Sequence, residues 1–165
     1  MTARRVGDLD GQPVWLCKSA ADGTGIEPTP KSYFTCGFFL FNSKWNTDDM
    51  RSLVAYLIEA GCVSMMFHGE RCREAEDLAD NVFVEGGYEA NFGGNDTLMT
   101  TSADGKTVLN AVFDLFCASF PTSGFKNSSF YVIASGSDDE SDDLARSLAE
   151  PHQTIRAALD TMPRR

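Results

Sequence analysis

The run from Cys62 to Asp77 constrains the chain most, because an apolar stretch, Cys62-Val63-Ser64-Met65-Met66-Phe67, stops at His68-Gly69 and a charged, helix-favouring segment follows at once. Buried strand, tight turn and helix are implied in that order. A second run, Tyr33 to Phe41, carries Gly37 and lies between Pro30 and Asn42-Ser43. An unbroken apolar run of this length between turn signals reads as a strand covered on both faces, with a neighbour pressed close at Gly37. Between the two runs, Asn46 caps a helix with Asp48 and Asp49 in its first turn. Met50, Leu53, Val54, Leu57 and Ile58 recur at helical spacing, and Gly61 ends the helix. Strand, helix and strand in this compass imply parallel pairing with a right-handed crossover.

The rest of the chain extends the pattern. Glu70 to Asp80 predicts a helix with a thin buried stripe of Cys72, Ala75, Leu78, Ala79 and Val82, and Val82-Phe83-Val84 reads as a short strand. Glycines at 86, 87, 93 and 94 frame a loop, expected to be the most mobile part. Thr97 to Thr101 is a third core strand. Ser102-Ala103-Asp104 is placed to cap a helix starting near Gly105, and Val108, Leu109, Val112, Phe113, Leu115 and Phe116 make that helix the most buried. Pro121 to Lys126 turns the chain, Phe130 to Ala134 is a fourth strand, and two helices or one kinked at Pro151 close the pattern, with Leu144, Leu148, Ile155, Ala158 and Leu159 inward. Residues 1–31 read as irregular: Asp10-Gly11 is a turn, and Val14-Trp15-Leu16-Cys17 is an edge strand or a segment packed across the sheet. The expected fold is a single three-layer α/β domain over residues 1–165, flavodoxin/Rossmann-like, with a mostly parallel sheet of at least four strands and an N-terminal extension.

Composition narrows the function classes. The formal net charge of -10 repels phosphate backbones and anionic headgroups, which disfavours nucleic acid and membrane surfaces and favours a protein partner with a basic surface. No apolar run reaches membrane-spanning length. Five cysteines, without a C-x-x-C pair, argue against a disulfide framework or a zinc site and for a reducing cytoplasm. No dinucleotide or P-loop glycine fingerprint and no G-x-S-x-G is present, so no cofactor is called for.

In a parallel sheet the strand ends share one edge, so His68, Glu70, Ser102 and Asp104 are expected in one cleft, beside Asn42-Ser43 and Ser135-Gly136-Ser137. Chemistry there would use His68 as general base, Cys72 or Ser102 as nucleophile, and Glu70, Glu76 or Asp104 as orienting acids. The same residues are also what helix caps and turns require. Cys72 gains thiolate character from a helix N-terminus with Arg71 and Arg73 beside it, and loses it to Glu70, Glu74 and Glu76; a packing thiol is the expectation. The other histidine is His152. Asp138, Asp139, Glu140, Asp142 and Asp143 form the densest acidic cluster, suited to a helix N-terminus and to a basic partner, with Glu70, Glu74 and Glu76 as its extension.

The middle of the chain also resembles a family of small uncharacterised bacterial α/β proteins, over residues 33–135. The likeness rests on Glu59-Ala60-Gly61-Cys62 after an apolar strand, on Gly69 followed by Cys72 and acids, and on Met99-Thr100-Thr101 closing a strand. In that family an aromatic and a histidine follow the Thr-Thr pair and a His-Asp pair sits in the acidic helix. Ser102-Ala103 and Ala75-Glu76-Asp77 stand there in this chain, so the resemblance implies the fold without a histidine-dependent activity. The functional expectation is a non-enzymatic acidic interaction domain of the bacterial cytoplasm, of the immunity, antitoxin or defence-accessory kind. The alternative is a small hydrolase or transferase working at the strand ends.

Overall fold

A computed structural model of the chain describes residues 1–18, 25–42, 44–92, 98–117 and 125–163. Its sheet is built on the two apolar runs. Strand β3 (Phe34–Leu40) is buried at every residue, and β4 (Cys62–Gly69) is buried up to Gly69. They pair in parallel, joined by helix α1 (Thr47–Glu59), whose cap Asn46 accepts from the Asp48 and Asp49 amides and whose Met50, Val54, Leu57 and Ile58 are buried. Gly37 faces helix α3 (Val108–Phe116) at such short range that an added Cβ would lie 3.0 Å from Leu115 Cδ1.

The order across the sheet is β1-β2-β6-β3-β4-β5, with β1 at Ala3–Leu9, β2 at Gln12–Lys18, β5 at Met99–Ser102 and β6 at Phe130–Ser135. All neighbours run parallel except β1 and β2. Helices α1 and α2 (Cys72–Glu85) cover one face over Phe34, Phe38, Met65 and Phe67. On the other face α3 (Val108–Phe116) and α4 (Asp138–Ala149) cover Val14, Phe39, Met66 and Val132, with α5 (Pro151–Thr161) against α3 and β1. The chain leaves β3 toward β4 and β5, then returns through α3 to β6 on the other side of β3. Helix α3 is the one α-helix with no exposed residue among those described.

The N-terminal residues depart from the expectation of an irregular segment. β1 (Ala3–Leu9) and β2 (Gln12–Lys18) form a hairpin, and β2 is interior, pairing in parallel with β6. Asp10 and Gly11 both take positive φ between paired Leu9 and Gln12, the pattern of a two-residue type I′ turn. The expected edge strand at 14–17 is therefore the middle of a longer inner strand, and β1 is the edge.

Two further expectations are corrected. Val82-Phe83-Val84 belongs to α2, because Val82 and Phe83 continue the buried stripe of Cys72, Ala75, Leu78 and Ala79 at helical spacing before the turn at Gly86. The cap of α3 is Thr107, which accepts from the Asn110 amide at 3.2 Å; Ser102 ends β5, and the chain turns through Gly105 before the helix begins. Gly23, Ser43, the loop Gly93–Asp96, Thr97 and the turn residues 121–124 lie outside the described residues. No described helix is long and apolar enough to cross a membrane.

Candidate functional site

Parallel polarity brings the ends of β4, β5 and β6 and the starts of α2 and α4 to one edge of the sheet. The β4 turn is made by Gly69, at φ +98°, where a Cβ would sit 2.2 Å from the Leu40 carbonyl oxygen. That close approach lets the Glu70 amide donate to the same oxygen at 2.7 Å. Arg71 follows in a left-handed conformation at φ 58°. Its guanidinium bonds Glu74 and lies 4.0 Å from the centre of the Trp45 ring, while Trp45 Nε1 donates to the Glu70 carbonyl at 3.4 Å. Glu70 itself is exposed.

Alternation along the strands then divides the candidate residues. Phe67 and Ser102 are register partners and share the α2 face, whereas His68 points to the opposite face beside Phe39, with ring centroids 5.5 Å apart. The imidazole is 8% exposed, and its Nδ1 is 3.2 Å from the Ala103 carbonyl oxygen, so the Nδ1–H tautomer is the one that bonds. His68 is on the same edge as Ser102 and Asp104 but across the sheet from them. A base-to-nucleophile contact from His68 to Ser102 or Cys72 is therefore not formed.

On the α2 face Cys72, Arg73, Glu76, Ser102 and Asp104 do come together. Asp104 pairs with Arg73 at 2.8 Å. Cys72 is 2% exposed, and burial, then the Asp104 carboxylate, push its thiol above the ordinary range; nearby amides and the Ser102 hydroxyl offset part of this. Glu76 is raised first by partial burial, with Asp80 and Asp77 adding to it and Ser102 and Arg73 opposing. A thiol held protonated and under cover is a poor nucleophile. Among the described residues no group of three or more His, Cys, Asp or Glu side chains is arranged to hold a metal ion.

The acidic cluster begins α4. Ser137 caps the helix by accepting from the Glu140 amide, and Glu140 reaches back to the Ser137 amide at 2.8 Å, a capping box. Asp138 pairs with Lys18 at the end of β2, which holds its carboxyl below the ordinary range. Asp142 lies 3.7 Å from Arg4 on β1, and Asp143 pairs with Arg146. Asp139 has no ion pair among the described residues, and all five acids are exposed. Glu70, in the turn before α2, and Glu74 and Glu76, near the start of that helix, lie on the same edge, across the sheet from α4. His152 is far from this edge in role: it bonds Asp10 at 2.8 Å, tying α5 to the β1–β2 turn.

Spacing in sequence does not point to the pairing of Arg4, Lys18 or Arg73 with its acid. Each lies far along the chain from its acid, and only the strand order brings them together.

Comparison with known proteins places this arrangement in a family. The model of the family described as "Domain of unknown function (DUF7684)" matches residues 18–151, most of the chain, and the chain belongs to that family. No curated protein and no solved structure matches.

Proposed function

We propose that this member of the DUF7684 family is a non-enzymatic interaction domain that meets a basic partner protein through the acidic start of α4. The observation that carries the proposal is the exposure of Asp138, Asp139, Glu140, Asp142 and Asp143 within one and a half turns at the sheet's carboxyl edge. Lys18, Arg4 and Arg146 neutralise part of this charge, and an acidic excess remains on a chain of formal net charge -10. Complementary charge steers encounter with a basic surface. The state of the catalytic candidates points the same way: His68 is turned from the nucleophiles, Cys72 is buried with its thiol pushed up by that burial, and Asp104 is engaged by Arg73. In this reading the domain serves in the cytoplasm as an immunity, antitoxin or defence-accessory protein.

Affinity capture from the source cell tests the proposal, run with the wild type and with a variant carrying Asn or Gln at the five acids. Loss of a basic partner by the variant, with its fold intact by circular dichroism, is the expected result. Retention of every partner at unchanged salt dependence would overturn it, and the cluster of Cys72, Glu76 and Ser102 would become the place to seek a hydrolase or transferase activity.

A further inference from the structure

We infer that β5 is a docking strand, alongside which an extended, lysine- or arginine-bearing segment of a partner protein adds to the sheet. The backbone register carries the first half of this. The Ala103 amide donates to the Phe67 carbonyl at 2.7 Å, and in a parallel ladder alternate residues turn both backbone groups to the same neighbour. Met99, Thr101 and Ala103 therefore face β4, and Thr100 and Ser102 turn N–H and C=O to the outer side. No described strand pairs with them there.

The two edges of the sheet are treated differently. On β1, Arg4 and Arg5, a register break between Arg5 and Gly7, and pairing of the first residues with Glu27 all obstruct a further strand. Strand β5, Met-Thr-Thr-Ser, carries no charge, no proline and no break in register. Helix α3 packs over β3 and β4, leaving Thr101 exposed on that face. An uncharged edge with no described strand on its outer side is a template for main-chain pairing.

Charge selects the occupant. On the α2 side the edge is flanked by Glu76, Asp77 and Asp80, with Asp80 accepting from the Thr100 hydroxyl at 2.7 Å and Arg73 engaged by Asp104. Partial burial is the main reason the Glu76 carboxyl is pushed up, and the nearby Asp80 and Asp77 carboxylates add to it. Alternate side chains of an added strand face this acidic flank, so lysine or arginine at those positions is favoured. A second copy would bring two such flanks to one seam, like charge against like.

The inference rests on the reading of this chain as a binder of basic proteins, but not on α4 as the surface used. Amide hydrogen exchange of the isotope-labelled full chain tests it, with a capped hexapeptide alternating valine and lysine as probe. Saturating peptide should slow exchange of the Thr100 and Ser102 amides by about tenfold or more, as expected when an exposed amide gains a ladder bond. The same peptide with alternate backbone nitrogens methylated, or with glutamate for lysine, should leave them unchanged, and the double variant Asp77→Asn, Asp80→Asn should weaken binding severalfold. Unchanged exchange at these two amides under saturating lysine peptide would overturn the inference, as would equal protection by the methylated peptide. Protection in the free protein that rises with its concentration would also overturn it, in favour of a second copy. Changing the α4 acids leaves β5 untouched, so failure here and failure of the α4 proposal are read separately.

Discussion

Gly69 is the residue on which the carboxyl edge turns. At φ +98°, with the Leu40 oxygen 2.2 Å from where a Cβ would be, Gly69→Ala meets both backbone strain and a clash with a main-chain atom that cannot swing aside. A loss of about 2–4 kcal/mol in chemical denaturation is expected. An unchanged midpoint would show that the β4 turn relaxes freely. Thiol reactivity reads the same edge from the other side. Cys72 is buried with its pKa raised by desolvation and Asp104, so its thiolate fraction at neutral pH is below that of an ordinary cysteine. Cys36 is raised further, and Cys17 and Cys62 are pushed up to about 12. Cys117 is the exposed thiol. Labelling of the folded protein should therefore proceed first at Cys117, and Cys117→Ser should remove the fast phase; rapid, selective labelling of Cys72 would revive a catalytic reading.

At the scale of elements, α4 is fixed at its start by the capping box and by cross-ties to the hairpin. Ser137→Ala removes the acceptor for the Glu140 amide and should cost about 1 kcal/mol. The Asp138–Lys18 pair adds a pH signature. Because Lys18 lowers the carboxyl's pKa in the folded state, the pair stabilises above the unfolded carboxylate's pKa and that contribution is lost as pH falls through the folded one. The stability difference between wild type and Lys18→Met should accordingly be present at neutral pH, shrink through the acid range and be smaller still in high salt. A difference independent of pH would assign Lys18 a packing role instead. These elements also show what the sequence makes legible. β3, β4 and β6 are continuous apolar runs because both their faces are buried, and α1 is cleanly periodic because one of its faces is buried and the other meets water, so all four are legible in the sequence. β1 was not, since Ala3-Arg4-Arg5-Val6-Gly7-Asp8-Leu9 lies at the sheet edge with exposed and half-buried residues interleaved. The turn at Asp10-Gly11 is the sequence signal for the hairpin, with a strand on either side of it. The end of α2 is not legible in the sequence because Val82-Phe83-Val84 is β-branched and aromatic, and tertiary burial of Val82 and Phe83 overrides that local preference.

Across the whole molecule, strand polarity was enough to gather the candidate residues at one edge, and alternation was enough to separate them. His68 and Ser102 are close to the same edge yet on opposite faces, a distinction that needs the β4–β5 register, which no spacing within either segment contains. The cations that temper the acidic cluster were equally hidden, since Lys18 and Asp138 are 120 residues apart. What survives this internal pairing is an acidic edge on an acidic chain, and its reach in solution is set by screening over about 8 Å at physiological ionic strength. The most direct measurement is the association rate between the protein and its captured partner across a series of salt concentrations, for the wild type and for the variant with Asn or Gln at Asp138, Asp139, Glu140, Asp142 and Asp143. A wild-type rate that falls steeply with salt and a variant rate that is lower and nearly flat are the expected result; parallel salt dependences of the two proteins would contradict docking through the α4 acids.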